Sequence, residues 1–379
     1  MLGIRHFNNN IELIKIYYSY LDRIQEISTT ITAQFNLSAS GGSGFLVVYN
    51  NTIYVATAAH VILDQNNNLA QKVFVTYYKN GKNYFKQINT TGNNDNIYYN
   101  ILTDTAFLKL NDNELNILGI SYGNSRNTNI GTSCIVIGNP LSSDINSYSF
   151  GVIRDNNYIY YAQDNSYESI LIDAATYSGN SGGMILSIDE NNNIQIIGML
   201  QYGFVHGAKT SGSTSNNVSV PSENFGGGIT SSFLQFVMNS VLSLGQEGNY
   251  IFPILNLKTR PITNNWLLAY HITKNHDTLD GCYLSSSFNS ISPNPILQTD
   301  TVIEKINNQS IGAQIGGYNT LSILLELYYT NKESQVTITV MNSGTETNYT
   351  YTVKDLFNAN VATQQNQIFI FNNDVHFLL

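Results

Sequence analysis

The sequence predicts a mostly β chain with a smaller α+β unit behind it and one helix in front, and three observations carry that expectation. From Ile31 to about Thr230, short alternating apolar–polar segments recur, split by clusters of Asn, Gly and Ser. Many short strands with turn signals between them indicate an all-β sandwich or barrel. From about Asn249 the pattern changes to strands flanking a single helical segment. Ahead of both, from about Asn10 to Ser28, Ile11, Ile14, Tyr17, Tyr18, Leu21 and Ile24 recur at helical spacing and predict one amphipathic helix. At 379 residues, two domains are expected, and 42% hydrophobic residues are enough for a sizeable core.

Taken in order, the strands are expected at Gly44–Tyr49, Ile53–Thr57, Lys72–Tyr78, Thr105–Leu110, Ser133–Ile137 and Ile194–Leu200. Phe204 to Phe225, rich in Gly, Ser, Thr and Asn, reads as a mobile loop, and Ser231 to about Leu244 as a short closing helix. In the second unit, strand segments at Gly281–Leu284 and Asp300–Ile311 precede a helix at Asn319–Tyr328 and strands at Gln335–Met341 and Thr347–Val353. The expected division is an N-terminal helix over 1–30, a β domain over 31–245, an α+β domain over 250–355 and a tail over 356–379 that contains the apolar run Ile368–Phe371.

Charge is sparse, at 11% Asp, Glu, Lys and Arg, with a net charge of −9. No block of Lys and Arg exists to bind phosphates, so nucleic acid is not an expected partner. No run of 18 apolar residues predicts a transmembrane span, and the N-terminus lacks the basic and apolar regions of a signal peptide. The abundance of Asn, Ile and Tyr is what an AT-rich coding sequence produces. An intracellular or virion-associated location is expected. The two cysteines, Cys134 and Cys282, fall in different predicted units and read as buried free thiols.

The chemistry is concentrated in the run Asp173-Ala174-Ala175-Thr176-Tyr177-Ser178-Gly179-Asn180-Ser181-Gly182-Gly183. It places Ser181 in a tight glycine-flanked turn. A serine hydroxyl needs a base to take its proton and converging backbone N–H groups to hold the oxyanion that forms on attack. The N–H groups of Gly179 and Ser181 are the candidates. A base is offered by His60, which ends the strand-like run Tyr54-Val55-Ala56-Thr57-Ala58-Ala59-His60. An orienting acid is offered by Asp104, which opens the alternating segment Thr105–Leu110, with Asp64 and Asp95 as fallbacks. Proton uptake by His60, near its usual pKa of about 6.5, would set an acidic limit to activity.

Across its first two thirds the chain resembles trypsin-like serine proteases of the HtrA/Deg type. The resemblance rests on Gly42-Ser43-Gly44-Phe45, Ala59-His60-Val61, Asp104-Thr105-Ala106-Phe107-Leu108-Lys109 and Ile137-Gly138-Asn139-Pro140. It continues through Gly151-Val152-Ile153, Asp173-Ala174-Ala175, Gly179 to Gly183, Gly198-Met199 and Gly227-Gly228-Ile229-Thr230-Ser231. It implies two six-stranded β-barrels with the order His, Asp, Ser of the serine-protease triad. Ser181 is then the nucleophile, His60 the base and Asp104 its orienter. Where the family usually has proline, this chain has Ser178 and Met184. Ala175, six before the nucleophile, would floor the pocket for the residue before the scissile bond, with Tyr202, Gly203 and Gly227 as walls. An apolar floor disfavours Arg and Lys and suits small or medium aliphatic residues.

The run Asp300-Thr301-Val302-Ile303-Glu304-Lys305-Ile306-Asn307-Asn308-Gln309 is similar to the PDZ domains of the same proteases. PDZ domains capture peptide C-termini by strand addition. The corresponding loop here, Trp266-Leu267-Leu268-Ala269, lacks the family's glycine. The resemblance therefore implies an ATP-independent serine endopeptidase acting on polypeptides, with a PDZ-like domain for peptide binding or regulation, assembled as a homo-oligomer, a trimer in the family. Two other readings stand beside it: a catalytically silent protease-fold scaffold or virion component, and a proenzyme-like state with the Gly179–Ser181 turn mis-set until a partner orders it. No cofactor or metal is expected. His271, His276, Asp277 and Asp280 match no ligand spacing, and they and His206 read as solvated loop residues.

Overall fold

The structure, a computed structural model, describes residues 14–36, 38–79, 81–90, 96–101, 103–110, 120–125, 128–139, 146–162, 165–208, 218–243, 248–249, 254–255, 257–262, 281–287, 297, 301–311, 320–342 and 345–358. Helix α1 (Leu21–Ile27) leads into β1 (Ser28–Gln34), β2 (Ala39–Tyr49) and β3 (Thr52–Thr57). A single helical turn, α2 (Ala59–Ile62), is followed by β4 (Lys72–Lys79), β5 (Lys82–Ile88), β6 (Ile97–Asn100) and β7 (Thr105–Lys109). The N-terminal periodicity is helical as expected, but it is split at Tyr20: residues 14–19 are helical, and α1 then buries Ile24 and Ile27. The β pattern takes over at Ser28, whose backbone is already extended.

Next come β8 (Ser133–Gly138), β9 (Ser147–Ala162), β10 (Asn165–Asp173), β11 (Met184–Ile188), β12 (Ile194–Ala208) and β13 (Val218–Thr230), closed off by helix α3 (Ser231–Ser243). These six strands form a closed barrel in the order β10-β13-β12-β11-β8-β9. Val136, Ile153, Ile170, Ile172, Ile185, Ile197 and Leu200 fill it. The flanks of the segment expected to be a mobile loop are strands instead: Val205 pairs with Pro221 and Ala208 with Val218. Gly, Ser, Thr and Asn raise a turn signal by composition, yet a hairpin ladder satisfies their backbone groups as well as any other residue's. Only residues 209–217 of that segment lie outside the described residues.

The first β body differs from the closed six-stranded barrel expected of it. Its described hydrogen bonds trace an open path of eight strands. The additional edge strand is β14 (Gly248–Asn249), which runs parallel to β6 after the chain has left α3. Phe45, Val55, Phe107 and Leu108 lie at its centre. The C-terminal unit contains β15 (Ile254–Leu255), β16 (Leu257–Pro261), β17 (Cys282–Ser287), β18 (Val302–Ile306), β19 (Gln309–Ser310), helix α4 (Thr320–Asn331), β20 (Gln335–Asn342), β21 (Thr345–Thr352) and β22 (Phe357–Asn358). Val336, Ile338 and Val340 alternate inward along β20, the period-2 signature of a half-buried strand. Cys134 and Cys282 are buried and form no disulfide, and burial pushes the Cys134 thiol up to about 12, so it is inert as a nucleophile at neutral pH. Among the described residues no helix is long and apolar enough to cross a membrane.

Candidate active site

Strand register brings His60 and Asp104 together. β3 and β7 are antiparallel with Thr57 opposite Ala106. Three residues beyond Thr57 and two before Ala106 therefore emerge at the same sheet edge. Ala58 is extended and starts α2, which turns His60 back over the edge. The His60 N–H donates to Asp104 Oδ1 at 2.9 Å, and the ring Nδ1 lies 2.7 Å from Asp104 Oδ2. An ionised carboxylate only accepts, so Nδ1 carries the proton and Nε2 presents its lone pair. Nε2 has no hydrogen-bond partner among the described residues, Ser181 Oγ included.

Asp104 itself sits at φ +49°, in the left-handed region that Asp tolerates better than most residues. The turn before it is organised by Asn100, whose Oδ1 accepts from the Thr103 N–H at 2.7 Å and its hydroxyl at 2.9 Å. Both the imidazole and the carboxylate keep 24% exposure. Burial pushes the His60 pKa down, but the charge and hydrogen bond of Asp104 push it up and prevail. His60 therefore titrates above its usual value, a correction to the expectation of an unshifted pKa.

Ser181 lies on the turn joining β10 to β11. The Asn180 N–H donates to the Tyr177 carbonyl at 3.0 Å, which makes Ser178 and Gly179 the central pair of a β-turn. Gly179 has φ +95°, as the third residue of a type II turn requires, and glycine alone adopts it without strain. Turn types I and II differ by a flip of the central peptide, so this φ fixes which way the Gly179 N–H points. Neither that N–H nor the Ser181 N–H donates to any described protein acceptor, so both keep their donor capacity. Gly182, at φ +85°, allows an equally close approach: a Cβ there would lie 2.1 Å from the Ser43 carbonyl.

Ser43, on β2, fastens this turn to the first sheet. Its N–H donates to the Ser181 carbonyl at 2.8 Å and its hydroxyl to the Gly179 carbonyl at 2.7 Å. The same hydroxyl accepts from the Asn139 N–H at 2.6 Å, and the Ser43 carbonyl accepts from Thr57 Oγ1 at 2.7 Å. Ser43 was quoted in the sequence only as part of a glycine motif. Its bond to Gly179, which links residues 136 apart, leaves no local signal.

Of the pocket residues, Ala175 is half-buried six positions before Ser181, and Gly203 pairs with Gly226 while Tyr202 pairs with Gly227. The Tyr202 ring is buried against Gly227, and its hydroxyl meets Ser169 Oγ. Thr176, which the sequence did not single out, stands over both Gly203 and Gly226, where added Cβ atoms would lie 3.0 Å and 2.5 Å from its side chain. Trp266, Leu267, Leu268, His271, His276, Asp277, Asp280 and the fallback Asp95 lie outside the described residues. His206 falls on β12, and Asp64 caps its own loop by accepting from the Asn66 and Asn68 N–H groups.

The chain is similar in part to known proteins. Residues 42–199 match the trypsin-like peptidase domain family. Over 162 residues the chain is 30% identical to the proteins named serine protease HtrA-like from Staphylococcus aureus strain bovine RF122 / ET3-1 and strain USA300, a match covering 38% of this chain. The chain spans only 18% of the length of these relatives. The solved structure described as HtrA-type protease AlgW with tripeptide superposes with a TM-score of 0.57 at 21% identity, covering 88% of this chain and 95% of that one. AlgW with decapeptide gives 0.51 at 19% identity, covering 89% and 97%. Residues 42–199 are thus similar to trypsin-like peptidase domains. The fold of the chain is that of an HtrA-type protease.

Proposed function

We propose that the protein is a serine endopeptidase that hydrolyses polypeptides through His60, Asp104 and Ser181. The observation that carries this reading is the 2.7 Å contact of His60 Nδ1 with Asp104 Oδ2 at the sheet edge, which leaves Nε2 as a free base. Ser181 Oγ attacks the scissile carbonyl as His60 Nε2 takes its proton, and the Gly179 and Ser181 N–H groups hold the oxyanion. The imidazolium, stabilised by Asp104, then protonates the leaving amine. Water, deprotonated by His60, releases the acyl group from Ser181. The protease domain spans 31–245, and a PDZ-like domain over 250–355 takes peptide C-termini near Trp266–Leu268. The order of strands and helix in the C-terminal unit supports that assignment. AlgW, the similar structure, is described with bound tripeptide and decapeptide. A trimer is the expected assembly, by the family resemblance in the sequence.

The left-handed Gly179 favours a preset oxyanion turn over the proenzyme-like alternative. The test is labelling by a fluorophosphonate. The wild type is expected to label, and Ser181→Ala and His60→Ala to lose labelling by about 10⁴-fold or more. A well-folded wild type that does not label, even with unfolded protein or C-terminal peptides added, would favour the scaffold reading. With Ala175 at the pocket floor, a peptide panel should show cleavage after Val or Ala. Ala175→Asp should add cleavage after Arg, because the new carboxylate pairs the guanidinium. Faster wild-type cleavage after Arg than after Val would sink the pocket assignment.

A further inference from the structure

We infer that Gln201 is a positioning residue that holds Asp104 in register with His60 from the opposite barrel, an inference that rests on the triad reading above. In the ladder between β12 and β13, Leu200 faces Gly228 and Tyr202 faces Gly227. Gln201 is the extra residue, left without a ladder partner. A bulge of this kind re-aims the side chain of the residue it inserts. Here it sends the Gln201 side chain out of the closed barrel and onto the turn that precedes β7 in the first sheet.

The contact there uses the full donor capacity of an amide. Gln201 Nε2 donates to the Thr103 carbonyl at 2.8 Å and to the Asp104 carbonyl at 2.7 Å. A primary amide has two N–H donors, and two carbonyl acceptors fix which end of the group is nitrogen. The residue is 1% exposed, and its Oε1 is buried with no hydrogen-bond partner among the described residues. An unpaired buried oxygen is costly, so an apolar side chain would be the cheaper filling for this space. What an apolar side chain cannot supply is the pair of donors.

Asp104 needs them because its backbone is strained. A non-glycine residue at φ +49° persists only where its surroundings over-determine it. The Asp104 carbonyl accepts from the Ala59 N–H at 3.2 Å as well as from Gln201, and its carboxylate is engaged by His60. Ala59 and His60 belong to the first sheet's own edge. Gln201 is the tie that reaches across from the closed barrel carrying the Ser181 turn. It thereby sets the angle at which the carboxylate meets Nδ1, and through it the basicity of Nε2.

The experiment uses the full chain and the pH dependence of fluorophosphonate labelling, in wild type, Ser181→Ala and Gln201→Met. The methionine is of similar length and carries no donors. The expected result is a maximal labelling rate reduced about 10- to 100-fold with little change in the probe concentration at half-saturation. The acidic limb of the profile should also move to lower pH, because a misaligned carboxylate no longer favours the imidazolium. If Gln201→Met loses rate only in proportion to its thermal stability and keeps the wild-type limb, Gln201 is a structural tie and the inference falls alone. If wild type and Ser181→Ala label equally, the triad reading falls and takes the inference with it. Should Gln201→Met not fold, the wild type decides by solvent exchange of the Gln201 Nε2 protons. Protection of both supports the tie, and exchange as fast as an exposed amide overturns it.

Discussion

The two halves of the site are held by different means. On the first sheet, His60 and Asp104 are fixed by side-chain chemistry: a charge-assisted hydrogen bond, a carboxylate that also takes a backbone N–H, and a strand register that delivers both to one edge. On the closed barrel, Ser181 is fixed by backbone conformation. Two left-handed glycines shape its turn, and Ser43 captures the carbonyls of Gly179 and Ser181. Base and acid must keep a proton at a stated atom, so residue identity matters most there. The proposed oxyanion donors are main-chain groups that every residue but proline possesses, so only the path of the chain can place them.

The comparison predicts that the nucleophile half fails by conformation. Gly179→Ala leaves every side chain of the triad in place, yet it adds a Cβ to a residue at φ +95°. The turn should relax by flipping the Ser178–Gly179 peptide, which removes one oxyanion donor, a loss of about 10²–10³ in rate. Labelling kinetics at equal folded fraction would read this directly. A Gly179→Ala variant as fast as wild type would show that the left-handed turn is incidental. The family's proline is replaced by Ser178, so Ser178→Pro offers the converse test and should preserve the rate.

A smaller effect is expected one residue further out. Ser43→Ala removes the donor to the Gly179 carbonyl and the acceptor of the Asn139 N–H, leaving two buried groups unpaired. That should cost about 1–3 kcal/mol of stability, measured by denaturant midpoint, and lower the labelling rate by a factor of about ten. Ser43→Thr keeps the hydroxyl and should recover rate ahead of stability. Loss of stability without loss of rate would mean that the turn holds its shape without Ser43.

This asymmetry explains what the sequence made legible. His60, Asp104 and Ser181 stood out because their residue types, order and strand-edge setting are local features of the chain. Strands β2, β3, β4, β7, β8 and β12 were legible for the same reason, since alternation is a local pattern. Gln201, Ser43 and Thr176 did not stand out, because each acts on residues far away in sequence, and polar side chains carry no mark of the carbonyl they will meet. The eighth strand of the first sheet was hidden likewise: Gly248–Asn249 is two residues long and earns its place only by pairing with Tyr98 and Tyr99. The flanks of Phe204–Phe225 show the opposite case, a strong local composition overruled by a hairpin ladder.

The acid–base half should instead reveal itself through pH, with opposite signs for activity and stability. Asp104 holds the His60 pKa above its usual value of about 6.5. Activity needs the neutral imidazole, so the acidic limb of the labelling profile should be centred above pH ~6.5 in wild type. Stability runs the other way. A group whose folded pKa is raised binds its proton more tightly when folded, so its contribution is complete below the unfolded pKa and fades as pH rises through the folded value. Denaturant midpoints of wild type should thus gain, relative to Asp104→Asn, as pH falls from the raised His60 value toward ~6.5, while activity declines over the same window. Below that window the gain levels off. A wild-type limb centred at or below the usual histidine value, or a midpoint difference flat across the window, would mean that the 2.7 Å contact does not govern the charge on His60.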